Sequence, residues 1–418
     1  MHNLFRRLFL FLNRYMGIKR VLPPPAKRLA WMASVYGFTM AFSNMFLNVF
    51  LFKGQSDWDV VIRYNFLTFL LVAPVFGVGS YIARKGRKLW PYRAGLAFSA
   101  ALFLAMLVFR DEAPRWVDAL GVLNGLAIGF YFLGQHELTF DVTTPKTRDL
   151  YFSLQQFVAS VLRIGAMPLA SGIITFFRSE GSPDRGYYVL FAVTLGLYLT
   201  LFWETFAFKV EERHAPFRLW ESLSDHLRPQ MRPVMVAYFV WGLRNGPFWF
   251  LLGVLVYRAS RQELTVGAYD MLTQGIMLAM TYGLSRVATA QNRGKGLGIS
   301  AWIDVLGVSL LAWRLDPTTL LIFTILLGVS GALFQVTFTS YSFDIMGAVG
   351  GQGRRTLENL TVREIPLNLG RIVGLLIFQY SCLKFGETGL RWSVLFLGSA
   401  HVGVWWILTR FYPNPGKR

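Results

Sequence analysis

Tyr64-Asn65-Phe66-Leu67-Thr68 returns 205 residues later as Tyr269-Asp270-Met271-Leu272-Thr273. Three further matches keep the same order and nearly the same spacing. Phe140-Asp141-Val142 pairs with Phe343-Asp344-Ile345, and Arg163-Ile164-Gly165 with Arg371-Ile372-Val373-Gly374. Gly86-Arg87-Lys88 pairs more loosely with Arg293-Gly294-Lys295. Each match is weak alone. Together, at an offset near half of a 418-residue chain, they indicate an internal duplication.

The duplicated material is apolar. Hydrophobic residues make up 54% of the chain and charged residues only 16%, against about 25% in soluble domains. That composition excludes a soluble surface, and equally a disordered chain. Apolar stretches recur near 29–52, 58–83, 94–109, 116–138, 151–177 and 187–208, then 233–257, 264–288, 297–313, 318–343, 364–383 and 392–409. About 20 residues suffice to cross a bilayer core. The expected fold is an all-α polytopic membrane protein of twelve transmembrane helices in two pseudo-symmetric six-helix bundles. Six spans per half make both halves start on the same side, the parallel kind of repeat. The expected divisions are an N-terminal segment 1–28, bundles 29–208 and 233–412, a charged linker 209–232 and a tail 413–418.

The net charge of +19 would suit a nucleic-acid partner if it formed a patch. Sorted by position it does not. Of 42 Lys and Arg residues, 27 fall on the side of the termini and linker, 10 on the opposite side and five inside spans. Cytoplasmic loops hold the excess of basic residues. The bias therefore places both termini in the cytoplasm, in a cytoplasmic membrane, with no nucleic-acid partner. Residues 1–28 mix apolar and basic side chains, and Pro23-Pro24-Pro25 follows where a signal peptide would show a small-residue cleavage site. This segment reads as an interfacial amphipathic helix. One cysteine, Cys382, and five scattered histidines without an HExxH pairing indicate no disulfide, metal or cofactor. No phosphate-binding GxxxxGK[ST] loop and no nucleophile–His pair at a recognisable spacing occurs, so neither ATP drive nor an enzyme is expected.

Gly79-Ser80-Tyr81-Ile82-Ala83-Arg84-Lys85-Gly86-Arg87-Lys88 resembles the loop after the second span in the major facilitator superfamily, Gly-x-x-x-Asp-Arg-x-Gly-Arg-Arg/Lys. The resemblance extends over about residues 29–412. It implies a conformational-switch loop at Gly79, Arg84, Gly86, Arg87 and Lys88. The family Asp is replaced by Ala83, which puts the usual latch between halves in doubt. Met167-Pro168-Leu169-Ala170-Ser171-Gly172 keeps the Pro and last Gly of a span-five pattern found in proton-coupled exporters. Gly129-Phe130-Tyr131-Phe132 is similar to poorly characterised Gram-positive members, among them relatives of the glycolipid flippase used for lipoteichoic acid.

Intramembrane charges cost roughly 2.5–3.5 kcal/mol each by insertion scales, so they are functional candidates. Arg163 and Arg244 lie near the middle of spans five and seven, which face the central cavity in the family fold. A permanent ion pair is the alternative for either. Asp270, whose first-half counterpart is the neutral Asn65, and Glu137 at the end of span four are the candidate proton carriers. Tyr36, Asn44, Asn65, Asn245 and Trp249 join the two arginines as candidate substrate contacts. Asp304 and His401 fall on spans that the resemblance makes peripheral, and read as packing. Glycines four apart in Gly121–Gly129 read as close helix packing. The resemblance implies a functional monomer working by alternating access, with protons or another ion as coupling partner. The expected activity is proton-coupled export of an amphiphilic small molecule. A flippase for a lipid-linked substrate and a sugar or metabolite symporter are the alternatives.

Overall fold

The computed structural model describes residues 22–55, 58–143, 147–208, 216–229, 231–287, 293–349 and 356–411. Most of the expected N-terminal amphipathic segment, the start of the linker and the tail lie outside these residues. The described residues are helical without a β-strand. In the first half the helices are α1 (Pro24–Gln55), α2 (Trp58–Arg84), α3 (Leu89–Phe109), α4 (Val117–Val142), α5 (Arg148–Ser179) and α6 (Pro183–Glu204), followed by the short α7 (Leu219–His226). The second half contains α8 (Arg232–Phe248), α9 (Leu251–Ser260), α10 (Glu263–Val287), α11 (Arg293–Trp313), α12 (Pro317–Val349), α13 (Thr356–Gly398) and α14 (Ala400–Phe411).

Each expected apolar stretch coincides with a helix or part of one. The seventh stretch is split between α8 and α9. Stretches eleven and twelve share α13, which bends at Gly386 with φ +54 and ψ −129, a conformation that favours a residue without Cβ. Nine stretches of the described residues are long and apolar enough to cross a bilayer. Two of them, Leu89–Val142 and Leu357–Phe411, are 54 and 55 residues long, enough for two crossings each. α10 is not among the nine; it carries Asp270 and Gln274 within its span. Local signals set the ends. Pro317 opens α12, and Asp316 before it accepts the Thr319 N–H at 2.8 Å while Thr319 Oγ1 accepts the Asp316 N–H at 3.1 Å. These backbone donors hold the exposed Asp316 carboxyl below its ordinary range. Exposed tryptophans ring the two ends, Trp203 and Trp406 at one and Trp116, Trp313 and Trp392 at the other. That is where amphipathic rings meet lipid headgroups.

The duplication in sequence is also a duplication of packing. In the first half α1 packs on α5, α2 and α3 on α4, and α3 on α6. In the second, α8 packs on α13, α10 and α11 on α12, and α11 on α13 and α14. The halves meet along α5 against α10 and α2 against α13, pairs that the same two-fold relation exchanges. The end bearing α7 is called here the linker face and the opposite end the far face.

Small residues set how close the helices come. A Cβ at Gly121 would lie 2.7 Å from the Tyr64 carbonyl oxygen, and one at Gly125 2.8 Å from that of Thr68. The close packing expected of these glycines is with α2. The tightest seam joins α8 to α13. A Cβ at Gly242 would collide with Leu367 O, at Gly246 with Arg371 O, at Gly370 with Phe239 O and at Gly374 with Leu243 O. Four glycines, two per helix at a spacing of four, thus bring backbone against backbone.

Gly370→Val is expected to lower stability by about 3 kcal/mol, the upper end for overpacking. Gly165→Ala, with nothing within 4 Å of the added carbon, serves as the control and should leave the midpoint unchanged or slightly raised. Thermal unfolding of the purified protein in detergent reads both.

Candidate functional site

The glycine seam fixes two neighbouring residues of α8. Successive residues on a helix differ by about 100° in direction, so Arg244 and Asn245 serve different partners. Asn245 turns to α13, where its Oδ1 accepts Arg371 Nε at 2.8 Å. Arg371 Nη1 donates to Asn368 Oδ1 at 3.0 Å. Asn368 Nδ2 donates to Glu364 Oε2 at 3.1 Å, and Arg363 Nη2 to Glu364 Oε1 at 2.8 Å. Glu364, Asn368 and Arg371 stand at i, i+4 and i+7, one face of α13. The Arg371 guanidinium carbon is 4.9 Å from the ring centre of Phe69 on α2 and 6.0 Å from that of Trp249. The group therefore lies where the halves meet. His136 on α4 feels the charges of Arg363 and Glu364.

Arg244 turns away from that interface. Its Nη2 lies 3.2 Å from Asp304 Oδ1 on α11. Ser330 Oγ of α12 donates to the same oxygen at 2.6 Å. His401 of α14 bonds Asp304 Oδ2 through Nδ1 and stacks on Phe334, ring centres 3.6 Å apart at 8°. Asp304 and His401 are 1% and 2% exposed. The sequence expectation that Arg244 contacts substrate is thus met by a closed network of four helices inside the second half. Asp304 and His401, read from sequence as packing, are Arg244's partners. The available signal was simply an acid in the middle of a span.

Arg163, on α5, makes no hydrogen bond or ion pair with any described residue. Its guanidinium lies across from Gly37 of α1, where an added Cβ would be 3.5 Å from Nη2. The acid that acts on it is Asp270, across the interface on α10. The Gln274 side chain, one turn on, lies close enough to act on Asp270 as well. Asn65 is buried and donates to Asn48 Oδ1 and Val61 O, both at 2.8 Å. It ties α2 to α1. Tyr36 is buried in the first half, stacked on Tyr131 at 3.3 Å and edge-on to Tyr198, away from the interface. The Asn44 side chain is half-buried without a hydrogen bond to a described residue, one position before Met45, which meets Gly253 of α9. Of the other intramembrane arginines, Arg63 proves to be at the far face, exposed and paired with Asp118 and Asp59. The side chain of Arg286 lies outside the described residues.

The loop expected to act as a conformational switch lies against the start of α13. Ala83 is buried beside Leu357 at the start of α13. Its neighbour Arg84, at the motif's Arg position, pairs with Glu358, with Nε 3.1 Å from Oε1 and Nη2 2.8 Å from Oε2. Glu358 is 1% exposed and sits in the first turn of α13, where the helix dipole favours an acid. Ser80 and Thr361 hydroxyls bond at 3.0 Å beside it. Lys88 holds Asp141 with Nζ–O distances of 2.7 and 2.9 Å. Gly79 admits Leu133 and Phe130 of α4, and Gly86 takes φ +86. Arg87 is exposed. Glu137 is buried among the fields of Asp141, Arg84, Lys88 and Glu358. Several contacts among the described residues join the halves at the far face. Arg178 pairs with Glu263 at 2.7 Å, Gln379 donates to Asp59 at 2.6 Å, and Met45 meets Gly253.

Two duplicated helical halves in contact at both faces, with charged and amide groups at mid-span between them, define a membrane transporter rather than an enzyme. The family profile described as Major Facilitator Superfamily matches residues 60–356, and the chain belongs to that superfamily. It is similar to the uncharacterized protein YqgE of Bacillus subtilis (strain 168), with 27% identity over 395 residues, covering 93% of this chain and 90% of that protein. Among solved structures it resembles a bacterial homologue of the human drug peptide transporters PepT1 and PepT2, with a TM-score of 0.69, 11% identity and coverage of 93% and 98%. It also resembles the E. coli fucose:proton symporter, with a TM-score of 0.63, 13% identity and coverage of 91% and 98%. At these identities the structures speak for the fold.

Asp304→Leu should cost about 3–5 kcal/mol, because it leaves Arg244 buried without its counter-charge and His401 without its hydrogen-bond partner. Adding Arg244→Met should recover part of that loss. Thermal unfolding of the single and double variants checks the sign of the coupling.

Proposed function

We propose that the chain exports amphiphilic small molecules in exchange for protons by alternating access. The observation that carries this reading is the split charge pair, Arg163 on α5 and Asp270 on α10, which act on each other across the seam between halves without a direct bond. A carboxylate facing an arginine across a moving interface changes its proton affinity when the interface opens. That is the property a coupling residue requires. The span-five segment that suggested export lies on this seam, where Ser171 meets Gly267 of α10. The E. coli fucose:proton symporter has a similar fold, so this architecture accommodates proton coupling.

In this reading residues 29–208 and 233–412 rock as two bodies joined by 209–232, with both termini and the linker in the cytoplasm. The protein acts as a monomer in the plasma membrane. Arg163, Asn44, Asn245 and Trp249 contribute substrate contacts. Asp270 carries the coupling proton, with Glu137 serving the linker face. The Arg84–Glu358 pair is the cytoplasmic latch.

In liposomes with an imposed pH gradient and a pH-sensitive dye, adding an amphiphilic substrate should start proton flux. Asp270→Asn should abolish that flux and leave the protein monodisperse. Full coupled transport by Asp270→Asn would end the assignment. For the latch, a Ser80→Cys reporter in a Cys382→Ser background should react slowly with a membrane-impermeant thiol reagent. Glu358→Gln should speed its labelling severalfold; an unchanged rate would mean that the pair does not hold the face shut.

A further inference from the structure

Arg371 differs from the other arginines of the bundle that meet a carboxylate. Arg244 contacts Asp304, Arg363 contacts Glu364 and Arg84 contacts Glu358. Arg371 is held by Asn245 and Asn368, whose amide oxygens orient a guanidinium without neutralising it. Glu364, two turns earlier, has its oxygens on Arg363 and Asn368. Nη2 of Arg371 makes no hydrogen bond with any described residue, and the side chain is half-buried. The Phe69 and Trp249 rings, 6.3 Å apart and nearly perpendicular, form an aromatic corner beside it. At the duplicated position of α5, Arg163 likewise lacks a contacting acid. Two-fold-related cations without a bonded counter-charge therefore lie on helices that form the seams between the halves. An uncompensated charge at this depth is expensive, and a pre-oriented, half-open fork matches carboxylate and phosphate geometry.

We propose that Arg371, oriented by Asn245 and Asn368, binds the acidic head group of an amphiphilic anion whose apolar body lies against the half-buried Trp249, which the buried Phe69 backs. The head group is a carboxylate or a phosphate or sulfate ester. Lipophilic cations are disfavoured by the same charge. This rests on the transporter reading only in treating the bound anion as cargo.

The test uses the full chain in phosphatidylcholine nanodiscs and two fluorescent probes, dansylated undecanoic acid and its methyl ester. The acid should bind at least about tenfold tighter than the ester, the margin of one charge-assisted contact. Arg371→Gln should erase that preference while ester binding stays within about twofold, which also reports an intact fold. Arg371→Lys should keep part of the preference. Displacement of the acid by phosphatidylglycerol would assign the head group to a lipid, and its absence to a free amphiphilic acid. Equal binding of acid and ester by the unaltered protein, or a preference that survives Arg371→Gln, would overturn the proposal. Proton-linked flux of a neutral amphiphile without acid preference would sink this inference and leave the export reading standing. Arg371-dependent binding of the acid without any flux would do the reverse.

Discussion

The second half depends on how closely α8 and α13 approach. At Gly242, Gly246, Gly370 and Gly374 the two backbones touch with no side chain between them. Polar groups on the flanks of such a seam can reach across it without long, flexible connections. Arg371 can therefore rest on Asn245, and Arg244 is directed to the opposite side of the same helix. Their different fates follow from one residue of helical rotation. The first half lacks this seam between α1 and α5: the Arg163 guanidinium lies across from Gly37 instead. The duplication preserved the helix pairings while the two halves diverged in what separates them.

The buried charges fall into two groups. Asp304 receives Arg244, Ser330 and His401, so its oxygens are occupied and the network is closed within one half. Such a cluster ties four helices into a unit, and its loss would be felt in stability. Arg163, Asp270 and Arg371 lie on the seams between halves, where full pairing inside either half is absent. Groups of this kind are costly to keep in a static structure. In a protein that changes shape they supply the differences in interaction energy between states without which no ligand can shift a conformational equilibrium.

The architecture was legible in the sequence because duplication, apolar length and loop charge are properties of stretches rather than of single side chains. The α4 glycines were legible for the same reason. Individual sites were less so. Arg244 was visible as an intramembrane cation, but whether it faced the interface or the bundle depended on helix rotation, which periodicity does not set in a helix apolar on all sides. Asp304 and His401 were set aside because their spans were expected to be peripheral. Yet peripheral helices also have inner faces, and theirs meet Arg244. Tyr36 fits an aromatic cavity wall by composition but packs on Tyr131. The Arg84–Glu358 pair was not legible locally: Ala83 lacks the family's acid, while Arg84, which keeps the family's position, meets an acid 274 residues away.

The break in span seven has a mechanical consequence. Between α8 and α9 the backbone is held by the Trp249 N–H to Gly246 O and the Phe250 N–H to Pro247 O, at 3.4 and 3.3 Å, a tightened turn with poorer geometry than an α-helix. Below it, α8 is clamped to α13 by the glycine seam. Above it, α9 leans on the first half at Met45. The span is thus interrupted at Trp249. Its lower part is fixed to α13, while its upper part bridges α10 of its own half and α1 of the other. The amide that holds Arg371 and the contact between halves at the far face are therefore carried by separate pieces of one span.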